Sequence, residues 1–156
     1  MQKPPVGADR RFRWGNYFMS KHSIDIRWQQ RFEHLQAALK KLHHAVQEQA
    51  RIPSDDLIQI ALIKTFEITF ELSWKTMKDY LSYNGIEAKL PREIIKQAFS
   101  NNILLDGQVW IDMLDDRNLM AHVYDEKLAL LAVEHIGQRY VSAITDLHKY
   151  FLEKLL

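Results

Sequence analysis

Arg117, Asn118, His122 and Tyr124 fall within one short stretch, in the pattern R-N-x3-H-x-Y. Arginine is always charged and presents a planar fork of donors that matches two phosphate oxygens. Histidine is the side chain whose ordinary titration lies near neutral pH. Together they can cleave RNA without a metal. A base removes the proton of a ribose 2′-OH, which attacks the adjacent phosphate while the arginine holds the developing charge. The expected product is a 2′,3′-cyclic phosphate. His122 fits the proton-transfer role and Arg117 the phosphate clamp, with Asn118 and Asp116 in support. The bland alternative is a solvated helix end on which Arg117 pairs with Asp112 or Asp116. The remaining histidines, His34, His43, His44, His135 and His148, read as surface or boundary residues. The adjacent pair His43 and His44 diverges on a helix and makes no convincing metal site. Neither a metal nor a cofactor is expected.

Positioning these groups falls to helices. On an ideal helix residues five apart stand about 140° from each other. Arg117 and His122 therefore converge only if the helix bends or ends between them, or if they meet across a dimer interface. Asp125 reads as the N-cap of a following helix, which favours an ending there. That last helix spans about 126–155, with Val133, Ile136, Tyr140, Ile144, Leu147 and Phe151 in one apolar stripe. The first helix runs from about 24 to 50, with Trp28, Phe32, Leu35, Leu39 and Leu42 in its stripe. Ser54 is a good N-cap for a second helix over about 55–83, closed by Asn84 and Gly85. Pro91 fits the first position of a third helix carrying Ile94, Ile95, Ala98 and Phe99. Asp106 and Gly107 make a turn before the segment that leads into Arg117.

The second helix has two apolar faces. Ile63, Phe66, Phe70, Trp74, Met77 and Leu81 form the stronger; Leu57, Ala61, Ile68 and Leu72 form a weaker one roughly 160° away, at about 100° per residue. Such a helix is central to its bundle or shared with a second subunit. The charged strip between the faces has a plain explanation, since Lys64 with Glu67 and Glu71 with Lys75 are spaced as local ion pairs. The other reading places Glu71 or Lys75 in the functional cleft.

The bulk properties agree with an all-α antiparallel up-and-down bundle of four long helices plus a shorter one. The chain has 156 residues, 47% apolar and 26% charged, with only 5 Gly and 4 Pro to interrupt it. It has 0 Cys, which excludes disulfides and thiolate metal sites and suits a cytoplasmic location. No apolar run is long enough to span a bilayer. Net charge is +1, but Lys3, Arg10, Arg11, Arg13 and Lys21 against Asp9 make residues 1–23 basic and leave the rest mildly acidic. Overall charge therefore does not attract nucleic acid to the body; a local basic site or the tail must do so. Residues 1–23 read as a flexible basic extension, and 24–156 as the helical domain. With Trp14, Tyr17 and Phe18 among its arginines, the extension is either an arm that touches nucleic acid or a leader whose true start is Met19.

The segment from Phe66 to Lys75, F-E-I-T-F-E-L-S-W-K, resembles the F-E-x-T-F-E-L-x-W-K segment of the nucleotidyltransferase substrate-binding proteins, also called HepT-like proteins of the HEPN superfamily. Arg31 and Phe32 with Leu35, Ala38 and Leu39, then Pro91, Arg92 and Glu93, and finally Trp110 with Arg117, Asn118, His122 and Tyr124, extend the resemblance over about 27–150. The resemblance implies a dimerising bundle that brings two R-x4-H sites near each other. It implies a ribonuclease toxin of a two-gene toxin–antitoxin pair, acting on cellular RNA such as tRNA or mRNA. It also implies a minimal nucleotidyltransferase partner that neutralises the toxin, with adenylylation of Tyr124 as one route. An alternative drawn from the same family is a non-catalytic substrate-binding subunit of a two-chain nucleotidyltransferase.

Overall fold

A computed structural model describes the backbone of residues 10–155, and the side chains of 26–155 except Asn118. Helix α1 spans Arg10–Arg51, α2 Asp56–Tyr83, α3 Pro91–Ser100, α4 Gly107–Met120, α5 Glu126–His135 and α6 Val141–Leu155. A single π turn, Ile136–Tyr140, joins α5 to α6. No strand occurs among the described residues. The fold is thus the expected all-α bundle, with α3 and α4 both shorter than α1, α2 and the continuous rod formed by α5, the π turn and α6. Helix α1 is assigned from Arg10, upstream of the expected start near 24. The side chains of the basic extension, and all of residues 1–9, lie outside the described part of the chain.

Caps set the helix boundaries. Asp55, rather than Ser54, caps α2: its carboxylate accepts from the amides of Leu57 and Ile58 at 2.9 and 3.2 Å. A charged acceptor beside the positive helix end outcompetes the serine hydroxyl one residue earlier. At the other end Gly85 has φ +81°, the amide of Gly85 bonds Ser82 O, and that of Ile86 bonds Leu81 O. Those two bonds define a Schellman closure, which needs the left-handed conformation glycine takes without strain. Asp106 caps α4 and Asp125 caps α5 in the same manner as Asp55.

Helix α2 packs against every other helix of the bundle. Its inner face buries Leu62, Ile63, Phe66, Phe70, Met77 and Leu81. Thr69, Ser73 and Thr76 are buried beside them, and each hydroxyl is satisfied by the carbonyl four residues earlier at 2.7 Å. Burying these polar groups is tolerable because they keep a hydrogen bond. Arg31 of α1 reaches the buried Asp79 of α2 at 2.6 Å and ties the two longest helices together. The stripes read for α1 and for the last helix lie in this core, including Trp28, Phe32, Leu35, Ile136, Tyr140, Ile144 and Phe151. Phe99 departs from expectation. It is half exposed and lies over Gly107, where an added Cβ would come within 3.0 Å of its ring.

The second apolar face of α2 stays uncovered. Leu57 is 77% exposed and Ile68 48%. Helix α2 is thus central to the bundle, and it presents the apolar side chains of Leu57 and Ile68 outward as well.

Candidate functional site

Arg117 occupies the last turn of α4, and the helix ends at Met120. His122 sits in the turn that follows: its amide bonds Leu119 O at 3.1 Å, and its carbonyl accepts from the Asp125 amide at 3.0 Å. Asp125 in turn caps α5 through its carboxylate. The short connection between α4 and α5 is thus pinned at both ends, and the break falls where the awkward five-residue spacing requires it.

Within the described chain Arg117 and His122 take different partners. Arg117 is 47% exposed, and its Nη2 lies 3.4 Å from Glu71 Oε2 on α2. His122 Nδ1 lies 2.6 Å from the Tyr124 hydroxyl, their rings edge to face at 5.5 Å. Tyr124 is 80% exposed, so the His–Tyr pair faces solvent. Arg117 also lines a groove along α2, with Lys64, Glu67 and Glu71 as its charged groups and Phe66, Phe70 and Met120 as its apolar base.

Glu71 is the hub of the charged side. Lys75 Nζ lies 3.0 Å from its Oε1, and Trp74 Nε1 donates to its Oε2 at 3.1 Å. Partial burial works to raise its pKa. The hydrogen bonds from Lys75 and Trp74, with the charges of Lys75 and Arg117, outweigh that and hold the carboxyl below its usual range. The local pair read for this strip is present, Glu71 with Lys75, and Glu71 also faces Arg117.

Asp116 takes a different place from the other motif residues. It turns to the π turn, where its Oδ2 accepts from His135 Nδ1 at 2.6 Å and from the Tyr140 hydroxyl in a short bond. Burial, then the Asp116 carboxylate, push the Tyr140 hydroxyl well above its usual pKa and keep it a proton donor. Asp112 is taken up by Arg139 at 2.6 Å and by Gln108. Both aspartates are thus committed to partners other than Arg117, whose ion pair is with Glu71 instead. The role of Asn118 falls on a side chain outside the described residues.

His135 and Tyr140 were not legible as partners of Asp116. Five residues apart on an α-helix they diverge by about 140°. In the chain the Val141 amide bonds Ile136 O, an i to i+5 bond that widens the turn and brings both side chains to one carboxylate. Nothing in the apolar stripe signals that extra residue.

A helical bundle that places an exposed arginine at a helix end, and a histidine–tyrosine pair just past it, is the class these features define. The family described as nucleotidyltransferase substrate binding protein like matches residues 30–153, and the chain belongs to it. A probable ribonuclease HepT of Haemophilus influenzae is 32% identical over 112 residues, covering 69% of this chain and 73% of that protein. A crystal structure of a Thermus thermophilus protein aligns with a TM-score of 0.61 at 28% identity, covering 78% of this chain and 98% of that one. No helix among the described residues is long and apolar enough to cross a membrane.

Proposed function

We propose that this protein is a metal-independent endoribonuclease that acts as the toxin of a toxin–antitoxin pair. The observation that carries the reading is the intact R-N-x3-H-x-Y set, with Arg117 and the His122–Tyr124 pair exposed on either side of a helix end. The similarity to a probable ribonuclease HepT supports it. In the reaction the 2′-OH loses its proton to His122, the 2′-oxygen bonds to phosphorus, and the bond to the 5′-oxygen breaks. The products are a 2′,3′-cyclic phosphate and a 5′-hydroxyl, protonated as it leaves. Arg117 holds the phosphate while negative charge develops on it.

The 2.6 Å contact supports one arrangement of His122 for this role. When Nδ1–H donates to the Tyr124 oxygen, Nε2 keeps its lone pair and is the base. Adenylylation of that oxygen would then act twice. It removes a good acceptor from His122 and sets a negatively charged group two residues from the reacting atom. The family description, with its nucleotidyltransferase, supports a partner of that kind. Homodimerisation is supported by the uncovered apolar face of α2 beside the Arg117 groove.

The test is growth after induced expression of this chain alone, beside His122→Ala at matched protein level. Arrest by the wild type and normal growth with the variant support the toxin reading. Normal growth with both, together with tight binding to a nucleotidyltransferase, supports a non-catalytic substrate-binding subunit instead.

A further inference from the structure

Glu71 is fixed from its own helix. Lys75 and Trp74, about one turn on, bind its two oxygens, so α2 alone sets the direction of the carboxylate. Arg117 then approaches from α4 with a single nitrogen at 3.4 Å. Other arginine pairs close far more tightly, among them Arg139 on Asp112, Arg92 on Asp115 and Arg31 on Asp79 at 2.6 Å each. A guanidinium carries five N–H donors, and this contact engages one edge of the fork. Arg117 also borders the groove along α2. Meanwhile Lys75 balances the charge of Glu71, so the carboxylate can guide Arg117 without leaving a net negative charge to repel a phosphate.

We propose that Glu71 is a positioning residue for cleavage: it tethers Arg117 by one edge and leaves the other edge free to clamp the scissile phosphate. The proposal rests on the ribonuclease reading above. Glu71 acts through Arg117 and not on the substrate, since its two oxygens are taken up by Lys75, Trp74 and Arg117. Tether and clamp make opposite demands on binding and on rate, and that separates this role from a structural one.

The experiment uses the full chain and a short single-stranded RNA that the wild type cleaves. Glu71→Gln keeps the size and an acceptor for Trp74 but removes the charge, and circular dichroism checks the helix content. Cleavage at saturating RNA should fall about ten- to a hundredfold, the scale of a slight misplacement of a reacting group. Affinity for the fluorescein-labelled RNA, read by anisotropy in the His122→Ala background, should hold or tighten, because a negative charge has left the groove. The acidic limb of the pH profile should not move. In an Arg117→Ala background the same Gln substitution should have no further effect on the residual rate. As a second variant, Lys75→Met unmasks the carboxylate and frees one of its two anchors, so RNA binding should weaken and the saturated rate should fall, though less than with Glu71→Gln.

Equal losses from Glu71→Gln with and without Arg117, parallel losses of affinity and rate, or an unchanged rate would each overturn the tether. A wild type that leaves the RNA intact sinks the ribonuclease reading and the tether with it. A cleaving wild type with an unaffected Glu71→Gln sinks the tether alone.

Discussion

In the proposed reaction His122 and Arg117 divide the chemistry between them, and their substitutions should fail in different ways. His122→Ala removes proton transfer and is expected to lower single-turnover cleavage by about 10²- to 10⁴-fold. Arg117→Ala removes charge stabilisation in the transition state, with an expected loss of about 10²- to 10³-fold. Arg117→Lys should recover little of it, since an ammonium cannot present a planar fork to two phosphate oxygens. If Lys performed as well as Arg, a simple point charge would suffice and the clamp would be wrong. Tyr124→Phe deletes the oxygen 2.6 Å from His122 Nδ1 and should slow cleavage by about ten- to a hundredfold, as loss of a histidine's orienting partner does elsewhere. It should also abolish adenylylation by a nucleotidyltransferase partner, which mass spectrometry of the co-expressed protein reads directly. The proposed chemistry was read from residue types in the sequence, where Glu71 was already a cleft candidate. Its pairing with Arg117 was not legible: Glu71 stands 46 residues away, and only tertiary packing brings the two together.

At the scale of elements, α4 ends between Arg117 and His122. The ending of α4 was legible, because Asp125 signals a new helix start just beyond the motif. The π turn was not, because an apolar stripe with steps of three and four tolerates one extra residue without losing its period. Yet that turn lets His135 and Tyr140 converge on Asp116, next to Arg117. Tyr140→Phe keeps the buried ring and loses a hydrogen bond to a carboxylate. We expect a destabilisation of about 2 kcal/mol by urea unfolding. A change within experimental error would mean that the Asp116 clamp contributes nothing to holding α4. Helix caps show the same limit on a smaller scale. Ser54 and Asp55 are both good N-caps by type, and only the observed bonds to Leu57 and Ile58 decide between them.

At the scale of the whole molecule the bundle, its core and the order of its helices followed from stripe and cap. What a single chain's sequence leaves open is which apolar face meets what. The outer face of α2 is the clearest case. Ile68→Asp places a charge on that face without touching the core and should shift a dimer to monomer in light scattering. An unchanged mass would place any dimer interface elsewhere. Acid sensitivity belongs to this scale too. His148 packs on Phe32 at 5.4 Å; burial, then the charge of His43, hold its pKa below the ordinary histidine value. A base depressed in the fold binds more protons when unfolded. Stability should therefore fall as pH drops from about 6.5 through the lowered value, and His148→Gln should flatten that part of the Tm–pH curve.

The most direct test of the central claim is end-mapping of RNA exposed to the purified protein with and without EDTA, beside His122→Ala. The account predicts new fragments ending in 2′,3′-cyclic phosphate from the wild type in both conditions, and none from the variant. Intact RNA in every lane, or identical fragments from the wild type and the variant, would contradict it.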